Sequence, residues 1–210
     1  MAVLIEDDAV VLFQGDSITD GGRTTLQKRE LGVGYVLMAA AVFSAKYPQK
    51  NVRFLNRGIN GHRVKDLKAR WQKDCIELKP TWVSIMIGIN DTWRAFDSND
   101  PTSAESYEAD YREMLTRTRD ELGARLILCE PFLLPYPEDR KAWREDLDPR
   151  IRVVRELARE LDAILVPLDG IFTAAAKKQP CDYWTIDGVH PTPAGEGLIA
   201  LSWLKAVGAM

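Results

Sequence analysis

The sequence predicts an α/β protein in which a five-stranded parallel sheet lies between two layers of helices. Three observations predict it. Short apolar runs alternate with longer stretches of helical period along all 210 residues. The runs are apolar nearly throughout, as strands covered on both faces are. No repeat, low-complexity tract or linker interrupts the alternation, and the length suits one domain over residues 1–210.

The first strand is expected at 10–14. A helix over 34–47 and a second strand at 52–56 follow. A helix from about 64 to 78 leads to the third strand, 81–87, apolar at almost every position. Thr102 with Glu105 three residues on has the pattern of a capping box. It opens a long helix whose apolar stripe is Tyr107, Tyr111, Met114, Leu115 and Leu122. Residues 125–129 form the fourth strand. Asp148 before Pro149 reads as an N-cap with proline at the first helical position, and Ile151, Val154, Leu157 and Leu161 as the stripe of that helix. The fifth strand is at 163–167. Thr192 caps a last helix that starts at Pro193 and runs to about Val207. Parallel strands need crossovers, and the open, doubly wound, flavodoxin-like order 2-1-3-4-5 accommodates these. The result is a three-layer α/β/α sandwich with its ligand site beyond the carboxyl ends of the strands. The least regular stretches, 21–33 and 132–146, are expected to be mobile loops.

Composition excludes several functions. Apolar residues make up 46% and charged residues 28%, the balance of an ordinary globular protein. The net charge is −3, and the basic residues are interleaved with acids, as at Arg152, Arg155, Glu156, Arg159 and Glu160. Nucleic acid as main partner would require clustered cations. The three cysteines, Cys75, Cys129 and Cys181, are odd in number and widely spaced, which argues against a disulfide framework or a zinc knuckle. The first eight residues lack the basic start and apolar stretch of a signal peptide, and no run approaches the ~18 apolar residues of a membrane span. A cytoplasmic location without membrane contact is the expectation.

The polar residues of interest gather after the strands. Gly15-Asp16-Ser17-Ile18-Thr19-Asp20 follows the first, Gly58-Ile59-Asn60-Gly61-His62 the second, and Gly88-Ile89-Asn90-Asp91 the third; Asp187-Gly188-Val189-His190-Pro191 precedes the last helix. A serine hydroxyl attacks only when a base takes its proton, and histidine is the usual base. Of the two histidines, His190 has an aspartate three residues earlier, with Gly188 permitting a tight turn between them. One loop can then set Asp187 against Nδ1 and leave Nε2 facing Ser17. His62, with Asp66 four residues on, has no such loop. A developing oxyanion needs donors fixed in advance. The backbone N–H groups of Ser17 and Gly61 and the side-chain amide of Asn90 are the available set. Asp16, Asp20 and Asp91 read as structural, the first two bonding backbone or Arg23. Taken singly, each segment is an ordinary turn; together they point to acyl transfer.

The four segments resemble, in order, the four blocks of the SGNH (GDSL-like) hydrolases, and the similarity is greatest to intracellular bacterial acetylxylan esterases. Residues 15–23, 64–71 and 82–94 carry most of the similarity. Gly-Asp-Ser-Ile stands where Gly-Asp-Ser-Leu is usual. No Gly-x-Ser-x-Gly elbow occurs, so the larger α/β-hydrolase fold is not expected. The resemblance implies Ser17, Asp187 and His190 as catalytic triad, and Ser17, Gly61 and Asn90 as oxyanion hole. It implies an acetylated xylan-derived oligosaccharide as substrate, no metal or organic cofactor, and a homo-oligomer, with an octamer among the expected forms. Trp93 and Trp184 are the tryptophans nearest the site in sequence, and with His62 they are the expected substrate contacts. Trp71, Trp82, Trp143 and Trp203 are assigned to packing or interfaces, and Phe132, Leu133 and Leu134 to core or oligomer contact. Two alternatives stay open: a short-chain arylesterase, lysophospholipase or thioesterase of the same family, and a non-catalytic flavodoxin-like binding module.

Overall fold

The computed structural model describes residues 2–26 and 30–210. Strands β1 (Val10–Gly15), β2 (Arg53–Asn56), β3 (Trp82–Met86), β4 (Arg125–Cys129) and β5 (Ile164–Val166) form one sheet of order β2-β1-β3-β4-β5, every pair parallel. The alternation of strand side chains divides the core in two. Val11, Phe13, Trp82, Met86, Ile127 and Cys129 point into one layer, and Leu12, Val83, Ile85, Leu126 and Leu128 into the other. All five residues of β3, the middle strand, are buried, which is why its sequence is apolar on both faces.

Among the described residues ten α-helices surround the sheet: α1 (Ser17–Asp20), α2 (Tyr35–Lys46), α3 (Val64–Ala69), α4 (Trp71–Asp74), α5 (Ile89–Asp97), α6 (Ala104–Leu122), α7 (Arg144–Glu160), α8 (Leu168–Ala175), α9 (Cys181–Trp184) and α10 (Pro193–Ala206). Helices α2, α8 and α10 cover the first layer, and α3, α4 and α6 the second. Helix α7 contributes to both, Leu147 and Ile151 to one and Val154 and Leu157 to the other. Thr192 caps α10 by accepting from the Gly195 N–H at 3.3 Å. Helix α2 has no side-chain cap of its own. Glu196 of α10 takes that role, accepting from the Tyr35 N–H at 2.6 Å.

Four local expectations are corrected. The cap of α6 is Ser103, not Thr102: the Ser103 hydroxyl accepts from the Ser106 N–H at 3.1 Å, while the Thr102 carbonyl accepts from Arg150. Helix α7 starts at Arg144, with Pro149 inside it and Asp148 already helical. Arg144 holds the extra turn from outside, its guanidinium forked on Asp169 at 2.6 and 3.0 Å. The single helix over 64–78 is broken into α3, α4 and a 3-10 turn (Ile76–Leu78). At the first break Arg70 reaches beneath β1, to Gln14 Oε1 (2.9 Å) and the Gly15 carbonyl (3.3 Å), while Trp71 turns fully inward and donates to Thr118 Oγ1 (3.1 Å). The stretch 132–146 is anchored. Phe132, Leu133, Leu134 and Trp143 are buried, Phe132 stacks on Phe172 with ring centres 3.9 Å apart, and a 3-10 helix (Glu138–Trp143) leads into α7. Of the other predicted loop, residues 27–29 lie outside the described residues.

Candidate active site

The first β-strand ends at Gly15, and the chain turns at once into α1. Asp16 caps this short helix, its Oδ1 accepting from the Ile18 N–H at 3.1 Å. Asp20 binds the Thr24 backbone and hydroxyl at 3.1 Å each and lies 3.9 Å from Arg23. Thr19 Oγ1 and Tyr35 Oη are 3.0 Å apart, both buried. Ser17, the first residue of α1, is thereby held at the end of the sheet with its hydroxyl outward.

The Asp187–His190 loop lies between α9 and α10 and follows no strand. Asp187 Oδ1 accepts from the backbone N–H groups of Val189 (3.0 Å) and His190 (2.7 Å), which leaves Oδ2 for the imidazole Nδ1 at 2.7 Å. On the far side of the ring, Nε2 is 3.0 Å from Ser17 Oγ. Serine hydroxyl, imidazole and carboxylate thus form one line across 173 residues of sequence. Gly188 allows the turn at φ +86°. A Cβ there would stand 2.2 Å from the Tyr136 carbonyl oxygen and 2.6 Å from that of Leu134.

The electrostatics match the geometry. Burial by itself would raise Asp187, but the hydrogen bonds from the His190 ring and backbone outweigh it and hold the carboxylate below its ordinary range. The bond to Asp187 raises His190 above the ordinary imidazole value, with burial opposing in part. Two further carboxyls act on the imidazole through their charge. Burial pushes Asp16 and Glu196 each up to about 7. Asp16 Oδ2 is buried without a hydrogen-bond partner among the described residues, which disfavours the charged form.

Ser17 and His190 open into a cavity of about 340 Å³ whose other walls are Asn60, Gly61, Asn90, Trp93 and Arg94. Gly61 has φ +76°, a conformation that side chains resist, and nothing but Arg94 Nη2, at 3.8 Å, lies near its missing Cβ. Asn90 falls in the first turn of α5, and its Nδ2 donates to the His62 carbonyl at 3.1 Å, which fixes the amide's orientation. Asp91 Oδ2 accepts from the Val64 N–H at 3.1 Å. The structure therefore brings together Ser17, Gly61, Asn90, Trp93 and His190, with Asp187 behind the imidazole. Trp184 and His62 stand outside these walls. The Trp184 indole N–H donates to the Ala175 carbonyl (3.1 Å) and its ring packs edge-on against Tyr183. His62 Nδ1 accepts from Arg70 Nε (3.2 Å). Sequence reasoning passed over Arg94, whose signal was its place one helical turn beyond Asn90. Among the described residues no group of three or more His, Cys, Asp or Glu side chains is disposed to hold a metal ion.

With that geometry in hand, residues 13–198 match the GDSL-like Lipase/Acylhydrolase family model. The chain belongs to this family. It is a carboxylic ester hydrolase. The acetylxylan esterase of Geobacillus stearothermophilus is 37% identical over 206 residues, 94% of this chain and 93% of that protein. A crystal structure of that esterase superposes with a TM-score of 0.87 at 34% identity, covering 98% of this chain and 96% of the other. A candidate GDSL-like lipase from Parabacteroides merdae superposes with a TM-score of 0.92 at 36% identity, over the whole of both chains. Three further structures of the Geobacillus esterase carry alanine in place of a serine, an aspartate and the histidine three residues after that aspartate, and each is described as a catalytic mutant. Asp187 and His190 have the same spacing.

Proposed function

We propose that this chain, as one domain over residues 1–210, removes acetyl groups from short xylan-derived oligosaccharides through an acyl-enzyme on Ser17. The observation that carries the mechanism is the Ser17 Oγ to His190 Nε2 distance of 3.0 Å with Asp187 bonded to the other ring nitrogen at 2.7 Å. His190 takes the hydroxyl proton as Oγ attacks the ester carbonyl carbon. The N–H groups of Ser17 and Gly61 and the Asn90 amide hold the oxyanion. Collapse expels the sugar alcohol, which takes its proton from His190. Water then repeats the two steps on the acetyl-serine and releases acetate. No metal or cofactor is needed for this sequence. Trp93 offers an indole face to the sugar beside the nucleophile, and His62 contributes through the carbonyl that orients Asn90.

The acetyl-sugar substrate is supported by 37% identity to an acetylxylan esterase across nearly the whole chain. A cytoplasmic site is supported by three free cysteines, two of them buried; no described helix is long and apolar enough to cross a membrane. A homo-oligomer is supported by Leu37 and Val42 of α2 and Leu201 of α10, apolar yet 37%, 42% and 50% exposed. The test is Ser17→Ala with acetylated xylobiose and p-nitrophenyl acetate. Turnover should fall by at least about a thousandfold with the melting curve unchanged, and phenylmethylsulfonyl fluoride should label Ser17 in the parent. Full activity in the variant defeats the mechanism. Hydrolysis confined to long acyl chains defeats the substrate.

A further inference from the structure

The segment Glu138–Trp143 places a cation directly behind the aspartate–histidine loop. Arg140 lies over two indoles, its guanidinium carbon 5.0 Å from the ring centre of Trp93 and 4.0 Å from that of Trp143. Its Nε donates to the backbone carbonyl of Asp187 at 3.3 Å. The side chain is only 15% exposed, although its ion-pair partner Asp139, bonded at 2.9 Å, is 65% exposed. Trp93 in turn meets the His190 ring, with centres 5.7 Å apart, and packs edge-on against Trp143 at 5.1 Å. A closed circuit therefore runs Asp187–Arg140–Trp93–His190–Asp187. From outside the loop the Leu134 N–H also donates to the Gly188 carbonyl at 2.9 Å, and at its base Thr185 pairs with Pro191 in a single bridge.

We propose that Arg140 is a positioning residue for the hydrolysis, holding the Asp187 backbone and the Trp93 wall so that the Asp187–His190 bond keeps its short, in-line geometry. The guanidinium suits this role because its delocalised charge lies over both indole rings while its Nε–H reaches the carbonyl. Arg140 is not itself among the residues lining the cavity, so it acts through the residues it holds. The inference rests on the reading of Ser17, His190 and Asp187 given above.

The experiment compares Arg140→Met, Arg140→Lys and Ser17→Ala with the parent on p-nitrophenyl acetate from pH 5 to 9. Methionine fills the space but removes the donor and the charge; lysine keeps a charge over the rings but has no planar fork. Arg140→Met is expected to lose about tenfold in kcat with KM nearly unchanged, of the order that slight misplacement of a catalytic group costs. Its acid limb should move to lower pH, because a loosened bond to Asp187 no longer raises His190. Arg140→Lys should recover part of both. If Arg140→Met does not fold, the same two readings on Arg140→Lys decide. A lower melting temperature with kcat and acid limb unchanged overturns the proposal, and so does a rise in KM alone, which would make Arg140 a substrate contact. Activity surviving in Ser17→Ala defeats the triad reading instead, so the two failures are distinct.

Discussion

The two halves of the active site are built in different ways. Ser17 stands at the end of a central strand, held by short-range bonds, the Asp16 cap on Ile18 and the Asp20 bonds to Thr24, and by Thr19 paired with Tyr35 sixteen residues on. His190 stands on a loop between two helices, and what fixes it comes from 132–143, some fifty residues earlier in the chain: the Leu134 N–H, Arg140, and the close approach of the Tyr136 carbonyl to Gly188. The nucleophile inherits the rigidity of the sheet. The base borrows rigidity from a neighbouring loop. A sheet end is over-determined by the strand ladder on either side, whereas a loop is only as fixed as its tertiary partners make it.

The comparison can be broken most forcefully at the carboxylate. Asp187→Asn keeps the shape but favours the wrong imidazole tautomer, and kcat is expected to drop about 10⁴-fold with the fold intact. Steady-state kinetics beside a thermal melt measures both, and a loss under tenfold means His190 is oriented by something else. Next in size is Gly188→Ala, which presses a methyl into two carbonyl oxygens at 2.2 and 2.6 Å with φ at +86°. Stability should fall by about 3 kcal/mol and activity with it. A serine-side change of similar locality, Ser17→Ala, leaves stability alone, and that contrast expresses the difference between the halves. Denaturant melts showing Gly188→Ala as stable as the parent would mean that the loop is free to move away from 132–143.

The smallest effect concerns Glu196, which joins the halves by capping α2 from α10 beside the imidazole. Burial raises its carboxyl from 4.5 to about 7. Between those pH values the folded chain keeps a proton that the unfolded chain has released, so the fold loses stability as pH rises through the window. Glu196→Gln keeps an acceptor for the Tyr35 N–H and carries no such loss. The variant should match the parent near pH 4.5 and melt a few degrees higher at pH 8. An equal difference at both pH values would show that the carboxyl does not titrate in this range.

What was legible in the sequence follows this division. Strand β4 is Arg125–Cys129 as its apolar run indicated, and the cap Thr192 with Pro193 marks the start of α10. Both depend on signals a few residues long. The missed features need distant partners. The short helix α4 exists because Trp71 finds Thr118, forty-seven residues on. Arg144, forked on Asp169, extends α7 past its apparent proline start. Helix α5, which carries Asn90 and Trp93, has little local signal, because its nine residues share their start with the Gly88-Ile89-Asn90-Asp91 segment. The stretch 132–146 read as loose because little marks it locally, although its apolar and aromatic side chains are buried against α5 and α8.

By itself the sequence determined the sheet and its order, and it named the candidate serine, histidine, aspartate and oxyanion donors. Apolar periodicity, caps and short motifs are local, and each residue type carries its own reactivity wherever it lies. Only the tertiary structure decided that Ser17 Oγ meets His190 Nε2, that Trp93 lines the cavity while Trp184 bonds away from it, and that Arg140 backs the Asp187 carbonyl. Those are distances between segments remote in sequence, set by how whole layers pack, and no pattern along the chain encodes them position by position.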